Sequence, residues 1–439
     1  MTLARLATTA PTTSPAPRRI GVLYPSGWGN LGDEAVLQAT FAGLRQLWPD
    51  AELKAFTLHP ARTSVNHRVS AEPLTGLNRP LFCAPRDDEP GLVRVARSVA
   101  RRTSELPLVW RFTRWAADRT ADIVFETKSV ISARRWLKNA DLLLASGGGQ
   151  LDDVWGGAFG QPYALARWAY LSKRARVPFA FLSVGYGGAS GWLSRRFLRY
   201  ALSRSAYCSL RDAGSLALTQ RLGVKRDLGV VPDLAFALSA RAPLPRKRPG
   251  FDVGVSPMTY MRPGSWPNAN PEHYRRLVRL WADTVAAIVA KGNRAHLFVS
   301  APEDMVAVDD VLNSLDDETR AACTKNQAAT PDELLEFYRC MDVVISSRLH
   351  GVLLAMVAGR PVLALSHERK VRALMTDAGV AHFCSELDTA TVNQTMDLLE
   401  RLTGDLVGSA FQVRDYASRA ASRVRQQQMQ LPQLAKSRR

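Results

Sequence analysis

In the stretch DVVISSRLHGVLLAMVAGRPVLALSHERK, a β-branched run ends at Ser346 and Ser347 and delivers Arg348 and His350 just ahead of an apolar helix. Arginine offers a permanent bidentate fork for an anion, and histidine a proton near neutral pH. A satisfied imidazole at a capped helix start would account for His350 taken alone. Two further cations argue for more: Arg211 closes the strand in AYCSLRDAGS, and Lys370 follows the strand after Arg348. Cations and an imidazole delivered by several strand ends predict a site that holds an anionic substrate and moves a proton.

Glycines and acids mark the other strand ends. In DLLLASGGGQLDD a buried strand runs into Gly147, Gly148 and Gly149, leaving bare backbone at a sheet's ligand edge ahead of Gln150, Asp152 and Asp153. A tight turn would use the same glycines. In VLYPSGWGNLGDEAVLQATF, Gly27, Gly29 and Gly32 spell the G-x-G-x-x-G of a dinucleotide site. That reading fails twice. Asp33 and Glu34 open the next helix, where they complement its dipole and repel a pyrophosphate. The following strand carries its only acid at its start and leaves through Thr57, Leu58 and His59, so no carboxylate stands at its end for a ribose. What remains is a helix start offering Asn30, Asp33 and Glu34 to the hydroxyls of a ligand.

These residues need a scaffold that brings strand ends together. Apolar runs at 20–24, 53–58, 141–145, 179–184 and 207–210 alternate with helical periodicity, the rhythm of parallel strands with crossover helices. The segment RAPLPRKRPG, 241–250, interrupts it with prolines and basic residues and reads as a linker. The rhythm restarts with strands at 253–256, 296–299, 343–346 and 362–365, separated by helices near 271–290, 331–340 and 351–358. The expected organisation is a disordered leader over 1–17, a first α/β domain over 18–240 with a basic helical insertion near 91–137, the linker, a second domain over 251–388, and C-terminal helices over 389–439. The Gln-rich, basic end is expected to fray. Two doubly wound Rossmann-like domains would face each other across a cleft lined by their strand ends.

Composition bounds the function. The chain has 439 residues, 46% of them apolar, enough for packed cores in two or three domains. Five cysteines without paired or ligand spacing, and seven histidines without metal spacing, predict a reduced cytoplasmic setting and no metal. A formal charge of +18 favours anionic partners of several kinds. Part of it is organised: 92–115 sets Arg94, Arg97, Arg101, Arg102, Arg111 and Arg114 among apolar and aromatic residues, and 192–204 does the same with Arg195, Arg196, Arg199 and Arg204. Both stretches read as amphipathic helices suited to peripheral contact with an anionic membrane, or equally as solvated faces. No nucleic-acid-binding module accompanies them, so nucleic acid is not an expected partner.

Taken in order and spacing, GNLGDEAVLQA, SGGGQLDD, LRDAGS and SSRLHGVLLAMVAGRPVLALSHERK resemble the polysaccharide pyruvyl transferases, across nearly all of 20–386. The resemblance implies a fold similar to GT-B glycosyltransferases and transfer of the enolpyruvyl skeleton of phosphoenolpyruvate onto two sugar hydroxyls as a ketal. By motif position, Arg348 and His350 match the family's anion-binding arginine and proposed general acid, and Arg211 its second phosphoenolpyruvate-binding arginine. The basic stretch near 91–137 matches no motif of the family.

The chemistry of that donor suits the residues. Its carboxylate and phosphate need at least two cationic groups, for which Arg211, Arg348 and Lys370 are candidates. Attack at C2 needs a proton at C3, a task for His350. Asn30, Asp33, Gly148, Gly149 and Asp152 would line the sugar side, with Asp33 or Asp152 taking the hydroxyl proton. No cofactor beyond the donor is implied, and the acceptor would be a sugar or a lipid-linked oligosaccharide in the making of an exopolysaccharide or envelope glycan. A nucleotide-sugar glycosyltransferase of the same architecture, and a catalytically dead scaffold of a polysaccharide assembly, are the competing expectations.

Overall fold

The computed structural model describes residues 19–26, 29–77, 95, 107–154, 156–243, 249–266 and 268–436. Two parallel sheets organise them. The first joins seven strands in the order β3-β2-β1-β4-β5-β6-β7. They are β1 Arg19–Leu23, β2 Glu52–Thr57, β3 Ser70–Pro73, β4 Leu142–Ser146, β5 Phe179–Val184, β6 Tyr207–Leu210 and β7 Gly229–Val230. The second joins six in the order β10-β9-β8-β11-β12-β13. These are β8 Asp252–Ser256, β9 Arg294–Phe298, β10 Thr324–Asn326, β11 Val343–Ser346, β12 Val362–Leu365 and β13 Cys384–Ser385.

Both orders turn back at their first strand: β1 lies between β2 and β4, and β8 between β9 and β11. Such a reversal opens a crevice at the carboxyl ends of the strands, where ligands bind in doubly wound sheets. Every residue of β4, β5, β11 and β12 is buried, as expected of parallel strands with both faces covered by helices. The helix Pro271–Ala290 shows the local logic. Asn270 caps it by accepting from His273 N, Pro271 sits in its first turn, and Tyr274, Leu277, Trp281, Val285 and Ile288 form its buried stripe. The architecture is two Rossmann-like domains, each with its crevice at the same end of its sheet.

The C-terminal segment is helical as expected, and its Gln-rich part is packed rather than frayed, while 437–439 lie outside the described residues. The helix Leu406–Gln428 returns to the first domain, where Tyr416 meets Phe236 edge-on with ring centroids 5.5 Å apart. Gln427 is only 2% exposed. Its amide oxygen accepts from the hydroxyls of Tyr207, at 3.2 Å, and of Ser209, and its nitrogen donates to Ser183 Oγ at 3.1 Å. The register of β5 and β6 shifts beside Ser183, whose φ is +51°. That irregularity leaves buried polar groups in need of partners, and Gln427 supplies them.

The domains also meet directly: Leu31 N donates to Ser300 O at 2.8 Å, and Gln38 Nε2 to Asp332 Oδ1 at 2.7 Å. The basic stretch near 91–137 falls only partly on described residues, with Pro107–Leu137 forming one helix. Arg94, Arg97, Arg101 and Arg102 lie outside them. Among the described residues no helix is long and apolar enough to cross a membrane.

Candidate functional site

The crevice of the first sheet is built on close approaches. Tyr24 follows β1, is 1% exposed, and donates from its hydroxyl to Asp33 Oδ1 at 2.9 Å. Gly148 makes room for it: its φ is +64°, and a Cβ there would stand 2.2 Å from the Tyr24 hydroxyl. This glycine therefore serves the protein's own phenol. Gly149 is exposed, with only Asp152 Oδ2 near its missing Cβ, at 3.7 Å, and presents bare backbone. Gln150 ties the turn down, donating to Ser146 O at 2.8 Å and Gly147 O at 3.0 Å.

The helix Leu31–Leu47 offers a ligand less than its sequence suggested. Asn30 Oδ1 accepts from Gly32 N at 2.9 Å, so its amide oxygen serves as the N-cap. Glu34 is buried away from the crevice, paired with His67 Nε2 at 2.8 Å and Asn66 Nδ2 at 3.1 Å. Asp33 and the amide N–H groups of Asn30 remain for a substrate. Gly32 is where the domains touch, because a Cβ there would lie 2.0 Å from His350 Nδ1. The last glycine of the apparent dinucleotide fingerprint thus admits an imidazole from the other domain.

His350 sits in the first turn of the helix Leu349–Val357, directly after β11. Its Nε2 is 3.8 Å from Asp233 Oδ2, beyond hydrogen-bond reach, and is buried without a hydrogen-bond partner among the described residues. Asp233, 2% exposed, accepts from Ala235 N at 3.1 Å and faces Arg211 Nη1 at 3.3 Å. Burial works to raise the Asp233 carboxyl, but His350, Arg211 and the Ala235 N–H outweigh it and hold it at about 2. Gly185 leaves space for the Arg211 guanidinium, which would lie 2.7 Å from a Cβ there. Arg211, Asp233 and His350 form one chain across the domain boundary.

The second domain closes the crevice with charged side chains. Arg348 donates from Nε and Nη2 to Asp304 at 2.7 and 2.9 Å, and Nη2 lies 3.4 Å from Glu303. Burial would lower the Arg348 pKa, yet Asp304 and Glu303 push it above the ordinary arginine range. Asp304, 1% exposed, also accepts from Thr259 N and Oγ1, each at 2.9 Å. One edge of the Arg348 fork is therefore occupied by the protein itself. Lys370 pairs with Glu368 at 2.8 Å and remains 44% exposed. Burial raises Asp33 and Asp152, and the charge of Lys370 is among the influences that pull both partly back down.

The helices Leu349–Val357 and Arg369–Asp377 begin at this edge without side-chain caps, leaving first-turn N–H groups for an anion. The sequence did not single out Tyr24, Asp233 or Asp304. Tyr24 reads as the end of a strand, and the Pro-Asp before the apolar LAFA reads as an ordinary N-cap, which Asp233 also is. Among the described residues no group of three or more His, Cys, Asp and Glu side chains is arranged to hold a metal ion.

The family described as polysaccharide pyruvyl transferase matches residues 30–369 of the chain. No curated protein matches it. Among solved structures, the glycosyltransferase SnogD from Streptomyces nogalater is similar at a TM-score of 0.50 and 16% identity, covering 94% of this chain and 99% of its own. Anabaena Alr3699/HepE, solved in complex with UDP, is similar at 0.53 and 14% identity, over 95% of this chain and 100% of its own. UDP-GlcNAc 2-epimerase from Methanocaldococcus jannaschii reaches 0.53 at 7% identity, over 87% of this chain and 92% of its own. At these identities the likeness is one of fold, the two-domain arrangement of GT-B enzymes.

Proposed function

The chain belongs to the polysaccharide pyruvyl transferase family, and on that premise we propose that it moves the pyruvyl skeleton of phosphoenolpyruvate onto two hydroxyls of one sugar as a ketal. The acceptor is a sugar or lipid-linked oligosaccharide of an exopolysaccharide or envelope glycan, the donor is the only small molecule required, and the setting is the cytoplasm. The observation that carries the reading is His350. It is held between Gly32 and Asp233 at the domain junction, with a buried Nε2 that finds no hydrogen-bond partner among the described residues and has only Asp233 Oδ2, at 3.8 Å, as an ionic neighbour. An imidazole so placed serves proton transfer to a substrate.

The steps balance. A sugar oxygen bonds to C2 of the donor while His350 protonates C3, and Asp33, whose carboxyl burial has raised, takes the hydroxyl proton. The second hydroxyl then attacks C2, the C2–O bond to phosphate breaks, and the second hydroxyl proton leaves with inorganic phosphate. Arg211 and Arg348 each spend part of their five N–H donors on Asp233 and Asp304. The remainder, with Lys370 and the uncapped helix starts, offset the donor's carboxylate and the departing phosphate. Gly149 and Asp152 line the sugar side.

Incubation with phosphoenolpyruvate and candidate glycans should add one pyruvyl ketal to the glycan mass and release one phosphate. Thermal shift provides the second arm, with stabilisation expected from phosphoenolpyruvate. Stabilisation by uridine or guanosine diphosphate and none by phosphoenolpyruvate would overturn the donor assignment in favour of nucleotide-sugar transfer.

A further inference from the structure

Away from the cleft, the helices Gln161–Ala175 and Trp192–Arg204 lie side by side on the first domain. Both start at the crevice. Gln161 Nε2 donates to Gln150 Oε1 at 3.2 Å, and Gly191 N, just before the second helix, donates to Asp153 Oδ2 at 3.1 Å. With fifteen residues in the first helix, its far end lies about 22 Å from the glycine turn. There Tyr170, Lys173, Arg174, Arg176, Tyr200 and Arg204 line a cleft of about 580 Å³.

The charge of this face is one-sided. Neither 161–176 nor 191–206 contains an Asp or Glu. Lys173, Arg174, Arg176 and Arg204 are exposed, and among the described residues none has an acidic partner, Arg204 instead lying 4.0 Å over the Tyr200 ring. Cations at helix C-termini complement the dipole, which accounts for Lys173, Arg174 and Arg204 singly. It does not account for their meeting, with Arg176, around one open cleft at the cost of mutual repulsion. Along the same face Arg195, Arg196 and Arg199 are exposed, and Trp192 and Tyr170 stand 71% and 51% exposed, aromatic anchors of the kind that settle at a membrane interface.

We propose that this face seats on an anionic membrane, with the cleft between the two helices taking a phosphate headgroup. The charge complementarity and the exposed aromatic pair select a lipid surface as the occupant. The geometry gives the seat a use that rests on the transferase reading: the face runs from the glycine turn to the cleft, so a protein lying on it holds its crevice rim at the bilayer, within reach of a lipid-linked acceptor.

The test uses the full-length chain without substrate, so its failure leaves the transferase reading standing. Wild type should float with vesicles of phosphatidylglycerol and phosphatidylcholine at low salt, and not with phosphatidylcholine alone. Combined Lys173→Gln, Arg174→Gln and Arg204→Gln should lower partitioning roughly 100-fold, about fivefold for each cation near the surface. Arg275→Gln, Arg279→Gln and Arg401→Gln, exposed on the second domain, should change it little. Trp192→Ser, which leaves the helix C-termini intact, should also weaken binding, so the proposal stays testable if the triple variant misfolds. Equal losses in the two triple variants would assign binding to net charge and overturn the proposal. So would binding of inorganic pyrophosphate or a single-stranded oligonucleotide without any flotation.

Discussion

The two sheets share one order over six strands, the first adding β7 at its edge, yet the crevices they form carry opposite chemistry. The turns after β1 and β4 deliver the carboxylates of Asp33 and Asp152, both raised by burial, beside the bare backbone of Gly149. The segments after β11 and β12 deliver Arg348, His350 and Lys370, and two helix starts without side-chain caps. In the reaction proposed above, the first wall would accept protons and hydroxyl groups, and the second would donate a proton and hold anions. The same scaffold has thus been equipped twice, and a reaction joining a sugar diol to a phosphorylated acid needs both walls at once. Asp233 and Arg211 are the exception that joins them. They belong to the first domain but turn toward the second domain's histidine.

The largest effect should come from removing the group that both walls share. His350→Ala is expected to lower turnover by ~10²–10⁴-fold while phosphoenolpyruvate still binds, because the imidazole is assigned to proton transfer rather than to holding charge. Single-turnover phosphate release and a binding titration separate the two, and near-normal turnover would remove His350 from the reaction. Gly32→Ala tests the junction itself. Its new Cβ would meet His350 Nδ1 at 2.0 Å, so either the ring or the domain contact must move. A displacement near 1 Å is worth roughly 100-fold in rate. Stability should fall less sharply, by ~1–3 kcal/mol for an overpacked contact. Kinetics matching wild type would show that the ring does not need this seat.

How much of this was legible depends on burial and on which domain supplied the partner. The central strands announce themselves: Phe179–Val184, Tyr207–Leu210, Val343–Ser346 and Val362–Leu365 lie where their apolar runs place them. The edge strands Ser70–Pro73, Gly229–Val230, Thr324–Asn326 and Cys384–Ser385 do not, because they are short and none of their residues is fully buried, so no hydrophobic pattern forms. In the site, Arg211, Arg348, His350 and Lys370 stood out as cations and a histidine at strand ends. Asp233 and Asp304 were hidden because a carboxylate before a helical turn already has a local explanation. Their partners, His350 and Arg348, come from elements 117 and 44 residues away. Gln427 is the same case at larger scale, since its polar tail looks solvated until β5 and β6 present their unsatisfied hydroxyls.

The two carboxylates that flank His350 sharpen the comparison because their shifts have opposite signs. Asp233 is held at about 2 in the folded chain against an ordinary value near 3.8. A depressed group contributes stability that is present above the unfolded value and lost as pH falls toward the folded one. Asp233→Asn should therefore destabilise the protein at pH 7, by about 2 kcal/mol from the size of the shift, and have little effect near pH 2. Denaturant melts at both pH values measure this, and an equal loss at both would assign the effect to packing rather than charge.

Asp33 should show the reverse, and by a smaller margin. Burial raises its carboxyl, and the opposing pull of His350, the Tyr24 hydroxyl and Lys370 does not cancel the rise. A raised carboxyl makes the folded state bind the proton more tightly than the unfolded chain does. Its ionised form therefore costs stability, and that cost appears as pH climbs through the unfolded value and is complete above the folded one. Asn at this position carries no charge to desolvate, and its amide oxygen can still accept from the Tyr24 hydroxyl. Asp33→Asn should then melt at a higher temperature than wild type at pH 7 and at the same temperature near pH 3, while losing the base assigned to the sugar hydroxyl and hence turnover. A protein that gains stability but keeps its rate would move the base to Asp152, the other acid whose carboxyl burial raises. One that loses stability at pH 7 would mean that the charge on Asp33 is needed to hold His350 and Lys370 across the cleft, and that the two walls are bound to each other before any substrate arrives.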